Sequence, residues 1–149
     1  MSPLRLDHVS VVVSDLEPAK AFFFELGMEL EGEADIEGEW VDRINSIDGL
    51  RCRIAMLKTP DGDGRLELTQ FSHPEAIAPT PGNALPNALG LRSVMFNVDD
   101  IDDTVARLQT LGGNLIGEIV QYEQFYRLCY MKGPDDIIVS LAESLNKGS

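Results

Sequence analysis

One pattern occurs twice in this chain, and it restricts the possible folds more than any other feature. Residues 6–27 read LDHVSVVVSDLEPAKAFFFELG, and residues 91–112 read LRSVMFNVDDIDDTVARLQTLG. Aligned without a gap, both segments show the same order of apolar and polar residues and end in Leu-Gly. The offset is 85 residues, as from Asp15 to Asp100. Because internal similarity of this kind marks a repeated structural unit, the sequence predicts two copies of one module.

Each copy begins with a strand pattern and continues with a helix pattern. Alternating apolar residues indicate the strand, and apolar residues three or four positions apart indicate the helix. Ser14 and Glu17 resemble a capping box at the start of the first helix, and Asp99 is suited to cap the second. The run of three phenylalanines that ends at Phe24 is interpreted as packing rather than ligand binding. The alternating apolar positions are Val9, Val11, Val13, Val94, Phe96 and Val98.

After each helix, the sequence predicts only strands and turns. The predicted strands cover residues 50–59, 65–71, 114–123, 126–132 and 137–143. The acidic stretch 31–39 is interpreted as a solvated loop. The acidic stretch 98–103 is interpreted as a helix start, where carboxylates complement the helix dipole.

This order of elements predicts an α+β fold, with two paired βαβββ modules in a single domain that spans residues 1–149. Module one covers about residues 4–72, and module two covers about residues 90–145. Residues 73–89, between the modules, contain four prolines and are predicted to be an exposed linker.

The charge balance disfavours some classes of partner. A net charge of −13 argues against nucleic acid and anionic membranes, because binding a polyanion requires a basic surface. It leaves open a small anionic ligand in a locally basic pocket.

No apolar run approaches the ~20 residues that cross a bilayer, and the N-terminal residues lack a signal-peptide pattern, so a cytoplasmic location is expected. Cys52 and Cys129 stand alone in strand-like runs and are expected to be reduced thiols.

Four segments resemble the vicinal oxygen chelate superfamily, which includes glyoxalases, bleomycin-resistance proteins and extradiol dioxygenases. The segments are DHVSVVVSDLEPAKAFFFELG, LELTQF, VMFNVDDIDDTVARL and GPDDIIVSLAE, and the resemblance extends over about residues 4–144. It implies paired modules that form a curved mixed sheet around a cleft for a small-molecule ligand, with the helices outside. It also implies a homodimer, since members of this family usually complete open sheet edges by pairing chains.

In metal-binding members of that superfamily, each module supplies up to two ligands, one from its first strand and one from its last. The resemblance places these positions at His8 and Glu67 in the first module and at Ser93 and Ser140 in the second. Transition metals prefer three or more imidazole and carboxylate donors, and neutral serine hydroxyls are poor ligands. A divalent metal is therefore expected to bind only weakly, at an incomplete site, and the cofactor is left open.

His8 and Glu67 allow three interpretations. They can be part of a metal site, or a catalytic acid/base pair in which the carboxylate orients or charges the imidazole. They can also be a satisfied polar contact in a binding cleft. The only other histidine is His73, at the start of the proline-rich linker, and it is expected to be solvated.

Aromatic residues near Arg127 form a second candidate group. Tyr122, Phe125, Tyr126 and Tyr130 surround it in the sequence. Aromatic rings next to a guanidinium suit a flat ligand with an acidic group, whereas cross-strand packing beside a surface arginine is the alternative. The candidate ligand-binding residues are therefore Ser93, Tyr126, Arg127 and Ser140.

Arg51 and Arg53 share one face of a predicted strand, because side chains alternate along a strand. They are expected to be exposed at an open sheet edge. If that face lined the cleft, they would neutralise a ligand carboxylate.

Two functions from different classes remain. The first is a glyoxalase-like enzyme, such as a lyase, isomerase or epimerase, that works with a degenerate metal site or without metal. The second is a non-catalytic protein that binds a small molecule such as an antibiotic. Retained His8 and Glu67 favour the first, and the two serines favour the second or a metal-independent enzyme. The sequence leaves open whether the protein is an enzyme, because function does not follow from fold.

Overall fold

A computed structural model describes residues 4–79 and 85–146 of the chain. The chain divides into two units, Met1–Ile77 and Ala78–Ser149. The division falls within the predicted linker, of which residues 80–84 lie outside the described residues.

The first unit contains one four-stranded mixed sheet and two helices. Its elements are β1 (Val9–Val12), α1 (Leu16–Leu26), β2 (Glu29–Glu37), α2 (Glu39–Asn45), β3 (Arg51–Lys58) and β4 (Arg65–His73). The strand order is β1-β4-β3-β2, in which β1 and β4 are parallel and the other neighbours are antiparallel. Helix α1 packs against β3 and β4.

The second unit repeats this topology. Its elements are β5 (Ser93–Asn97), α3 (Ile101–Gln109), β6 (Asn114–Leu115), β7 (Val120–Tyr122), β8 (Tyr126–Lys132) and β9 (Ile138–Ser144). The strand order is β5-β9-β8-β6, with β7 also paired to β8, and β5 and β9 are parallel. The predicted α+β class and the two βαβββ modules are confirmed, with one mixed sheet in each unit.

Equivalent aspartates start the helix that follows the first strand in each unit. The side chain of Asp15 accepts a hydrogen bond from the backbone N–H of Glu17, and Asp100 caps α3 in the same way. The predicted caps at Ser14 and Asp99 are each wrong by one residue. An aspartate oxygen satisfies a free N–H of the first turn, so the capping residue is the aspartate next to the helix.

A second contact fixes each of these helices to the last strand of its unit. The N–H of Leu16 donates to Gln70 Oε1 at 2.7 Å, and the N–H of Ile101 donates to Glu143 Oε1 at 2.8 Å. The donors Leu16 and Ile101 occupy equivalent positions in the two modules. The acceptors Gln70 and Glu143 are equivalent in the same way. The repeat therefore extends from backbone topology to side-chain hydrogen bonds.

The interpretation of residues 31–39 as a solvated loop is wrong, because most of them belong to β2. This is the edge strand of the first sheet, and Ile36 is its one half-buried residue. Charged side chains are usual on edge strands, where they oppose pairing with other chains. Two of the acidic side chains of β2 form ion pairs, Glu33 with Lys20 at 2.8 Å and Asp35 with Arg53 at 3.1 Å.

The single strand predicted over residues 114–123 is also wrong, since the structure divides it into β6 and β7.

The packing interpretation of the phenylalanines is confirmed for Phe22 and Phe23, which are each 1% exposed, whereas Phe24 is 40% exposed. None of the helices in the described part of the chain is long and apolar enough to span a membrane.

Candidate functional site

One face of the first sheet points away from α1 and carries the sequence-predicted residue Glu67. In the register of the sheet, Glu67 lies opposite Ser10 of β1 and Met56 of β3. Because side chains alternate along a strand, Thr69 and Phe71 point to the same side as Glu67. Leu66 and Leu68 therefore point to the α1 side, where both are buried.

Helix α2 turns this face into a pocket of about 310 Å³. Gly38 allows the turn from β2 into α2, since its φ of 127° is unfavourable for other residues. The segment that follows α2 is held by Asp42 of that helix. The Asp42 carboxylate accepts hydrogen bonds from the N–H groups of Gly49 and Leu50, at 2.8 and 2.9 Å. The apolar walls of the pocket include Val12, Ile54 and Phe71 from the sheet and Trp40 and Val41 from α2.

Glu67 is the polar centre of this pocket, and its two oxygens have different environments. Oε1 accepts hydrogen bonds from Ser10 Oγ at 3.0 Å and from Thr69 Oγ1 at 3.3 Å. Oε2 lies 3.7 Å from His8 Nε2, which is beyond hydrogen-bonding distance. The two side chains are 23% and 31% exposed, respectively. Oε2 and Nε2 are therefore placed together and accessible to a third group.

Asp7 orients the imidazole of His8. Asp7 Oδ2 lies 2.7 Å from His8 Nδ1. This hydrogen bond holds the pKa of the Asp7 carboxyl below its ordinary value, and Arg65 and Arg5 lower that pKa further. An ionised carboxylate can only accept, so Nδ1 carries the proton of this bond. In the neutral imidazole, Nε2 is then the free acceptor beside Glu67.

Ser93 and Ser140 occupy the positions in the second sheet that correspond to His8 and Glu67. Met95 lies opposite Ser140, as Ser10 lies opposite Glu67 in the first sheet. Ser140 is 1% exposed, and its hydroxyl donates to the carbonyl oxygen of Val94 at 3.5 Å. The second unit thus has two neutral hydroxyls where the first has an imidazole and a carboxylate.

The structure does not bring Tyr126 and Arg127 to the same face of the second sheet. Tyr126 lies opposite Ser144 of β9, and Ser144 shares a face of that strand with Ser140 because side chains alternate. Tyr126 therefore points to the same face of the sheet as Ser140. Arg127 points to the α3 side, where it binds Asp102 through two hydrogen bonds, one of them 3.1 Å long. The hydrogen bond from Arg127 lowers the pKa of the Asp102 carboxyl.

The remaining candidates lie away from the pocket. Arg51 and Arg53 alternate with the pocket residue Cys52, so they point to the opposite side of the sheet. Arg51 forms an ion pair with Glu37, and both arginines are exposed. His73 is exposed at the end of β4.

Sequence reasoning missed Asp7 and the α2 residues of the pocket. The signal for Asp7 was its position next to His8, but sequence adjacency does not show that the two side chains meet. In α2, Trp40, Val41 and Ile44 have helical spacing that could have indicated a short amphipathic helix. The surrounding acidic residues obscured that pattern.

The donor set does not fit a tightly held transition metal. His8 and Glu67 provide one nitrogen and one carboxylate, whereas such sites usually have three protein ligands or more. Within residues 4–79 and 85–146, no three His, Cys, Asp or Glu side chains are grouped so that they could hold a metal ion. The described groups at Glu67 are therefore a carboxylate, an imidazole and two hydroxyls.

The fold agrees with one superfamily. The family model for the Glyoxalase/Bleomycin resistance protein/Dioxygenase superfamily matches residues 5–141. The chain belongs to this superfamily.

Three individual proteins are similar to this chain over most of its length. A glyoxalase family protein from Bacillus cereus has 48% sequence identity and a TM-score of 0.92, over 98% of this chain and 97% of that one. The uncharacterized protein YaeR of Escherichia coli strain K12 is 27% identical over 142 residues, which is 93% of this chain and 95% of YaeR. TnmS3, an antibiotic-binding protein from a Streptomyces species, has 25% identity and a TM-score of 0.58, over 95% of this chain and 99% of that one.

Proposed function

We propose that this protein binds a small organic molecule in the pocket of its first unit, with Glu67 as the polar group that orients it. The observation that carries this proposal is the combination of apolar walls with one accessible carboxylate oxygen. Small-molecule sites are mostly apolar concavities with a few convergent polar groups, and this pocket has both features. The likeness to TnmS3, which is described as an antibiotic-binding protein, supports a binding role.

Replacement of Glu67 by glutamine tests this proposal. The amide keeps the shape of the side chain but removes its charge, so affinity should fall about tenfold, or 1.4 kcal/mol, with little change in folding. Trp40 is the only tryptophan of the chain and lines the pocket, so its fluorescence can be used to screen fragments and to titrate the best one. Glu29→Gln, on the exposed edge strand, is the matched control. Equal affinity of Glu67→Gln and the unmodified protein would contradict the role of the carboxylate.

A metal-independent acid/base reaction is the second candidate function, of the lyase, isomerase or epimerase type. The specific observation in its favour is the contact of Asp7 with His8 Nδ1, which leaves Nε2 as a base directed toward Glu67. We expect such catalysis to exchange a ligand C–H proton with deuterium from D2O, even after treatment with EDTA. His8→Ala should abolish this exchange, and His73→Ala should retain it. Exchange that is equal in both variants, or lost on chelation, would contradict this reaction.

We also propose that the protein is a homodimer. Six exposed apolar side chains lie in the second unit, five of them within residues 120–130 and Met95 on the other side of Ser140 from Tyr130, and exposed apolar patches usually mark interfaces. They are Met95, Val120, Tyr122, Phe125, Tyr126 and Tyr130. Light scattering at micromolar concentration should give twice the 16.4 kDa mass of the chain. A species of one chain mass would contradict the dimer.

We further propose that the protein is located in the cytoplasm. Cys52 and Cys129 are both free thiols, which is the usual state of cysteines in a reducing compartment.

A further inference from the structure

We infer that the pocket of the first unit selects molecules that carry a protonated amine on an apolar body, and that it rejects carboxylic acids of the same shape. This inference rests on the proposed binding function and adds the charge of the ligand to it. It follows from the distribution of charge and of hydrogen-bond donors around Glu67.

Glu67 is the only charged side chain among the described residues that line the pocket. The hydroxyl donors beside it are already used, since Ser10 and Thr69 both donate to Glu67 Oε1. Asn45 is a neutral donor, and one of its two side-chain N–H groups donates to the carbonyl oxygen of Val41 at 2.9 Å. The indole N–H of Trp40 is a neutral donor. An anionic ligand would therefore lose its hydration and face a carboxylate without a cation to balance it.

Two cationic or potentially cationic groups outside the pocket, Arg65 and His8, have acidic partners. Arg65, at the start of β4, binds both Asp7 and Glu31. His8 lies between the carboxylates of Asp7 and Glu67, so even a protonated imidazole would be outnumbered by negative charge. The net charge of −13 adds a long-range field that repels anions and attracts cations.

A protonated amine matches these groups. It presents several N–H donors, of which one can bond Glu67 Oε2 and a second can bond His8 Nε2 in its neutral form. These two acceptors are 3.7 Å apart, which allows a single nitrogen to reach both. The rings of Trp40 and Phe71 line the same pocket and add aromatic surface for the body of the ligand. The apolar body of the ligand would contact the walls formed by Val12 and Ile54.

The test compares three probes that share a biphenyl body and carry a cationic, a neutral or an anionic group at the same position. They are biphenyl-4-ylmethylamine, biphenyl-4-ylmethanol and biphenyl-4-carboxylate, titrated into the full-length protein by calorimetry and followed by Trp40 fluorescence. We expect the amine to bind at least about tenfold more tightly than the carboxylate, with the alcohol between them. In Glu67→Gln, the ratio of amine to carboxylate affinity should fall to within about threefold, whereas the exposed control Glu29→Gln should keep it.

The outcomes separate this inference from the function on which it rests. Equal affinity for all three probes, or a preference for the carboxylate, would overturn the charge selectivity and leave small-molecule binding intact. Selectivity that persists unchanged in Glu67→Gln would overturn the assignment of that selectivity to Glu67. Binding of none of the three probes would contradict both the selectivity and the pocket.

Discussion

Replacement of Phe23 by alanine is expected to lower the free energy of unfolding by about 3–5 kcal/mol, the usual cost of removing a buried aromatic ring. Phe23 is 1% exposed in α1, and its ring meets that of Phe22 edge to face with centroids 5.3 Å apart. The substitution removes apolar burial and leaves a cavity in the layer between α1 and the first sheet.

The chain offers a matched control in the next residue. Phe24 is 40% exposed, so Phe24→Ala in the same helix should cost less than about 1 kcal/mol. Urea unfolding of the two variants at equal protein concentration, followed by circular dichroism, measures both effects. Similar losses in the two variants would contradict the assignment of Phe23 to the core and of Phe24 to the surface.

Replacement of Ser10 by phenylalanine is expected to weaken ligand binding about 100-fold, or 2.7 kcal/mol, by filling the pocket. Ser10 lies on the exposed edge strand β1, directly opposite Glu67 in the sheet, and its side chain lines the pocket. An aromatic residue suits an exposed strand position, so the fold should tolerate the change. The added ring would occupy space above Glu67 that the ligand requires.

Ser10→Ala separates loss of space from loss of the hydroxyl. It removes the hydrogen bond from Ser10 to Glu67 Oε1 without filling the pocket, so affinity should change only about two- to fivefold. Titration of both variants by Trp40 fluorescence, with thermal unfolding as a check on folding, provides the comparison. A folded Ser10→Phe protein with undiminished affinity would show that the ligand binds elsewhere.

The repeated module could be predicted from the sequence because its signals are local. Alternation of Val9, Val11 and Val13 marks a strand with one buried face, and helical spacing marks α1 and α3. Strand β2 could not be recognised in this way. It is an edge strand in which every residue except Ile36 is exposed, so it lacks the alternation that burial of one face produces.

The candidate site was predictable only in part. The resemblance to the superfamily placed His8 and Glu67 at paired positions, and the structure places their side chains 3.7 Å apart, facing away from α1. The faces of Tyr126 and Arg127 depend on strand parity, which composition does not reveal. The pocket itself depends on α2, because Trp40 and Val41 approach the sheet only through the turn at Gly38.

Locating a bound ligand tests the proposed binding site in the first unit. The tightest-binding fragment from the Trp40 screen should be titrated into isotope-labelled protein while backbone amide shifts are recorded by nuclear magnetic resonance. Binding in the proposed pocket predicts that the largest shifts occur in the first unit, at Ser10, Cys52 and Thr69, and that Ser10→Phe abolishes them. Shifts confined to the second unit, around Tyr126 and Tyr130, would contradict the proposed site.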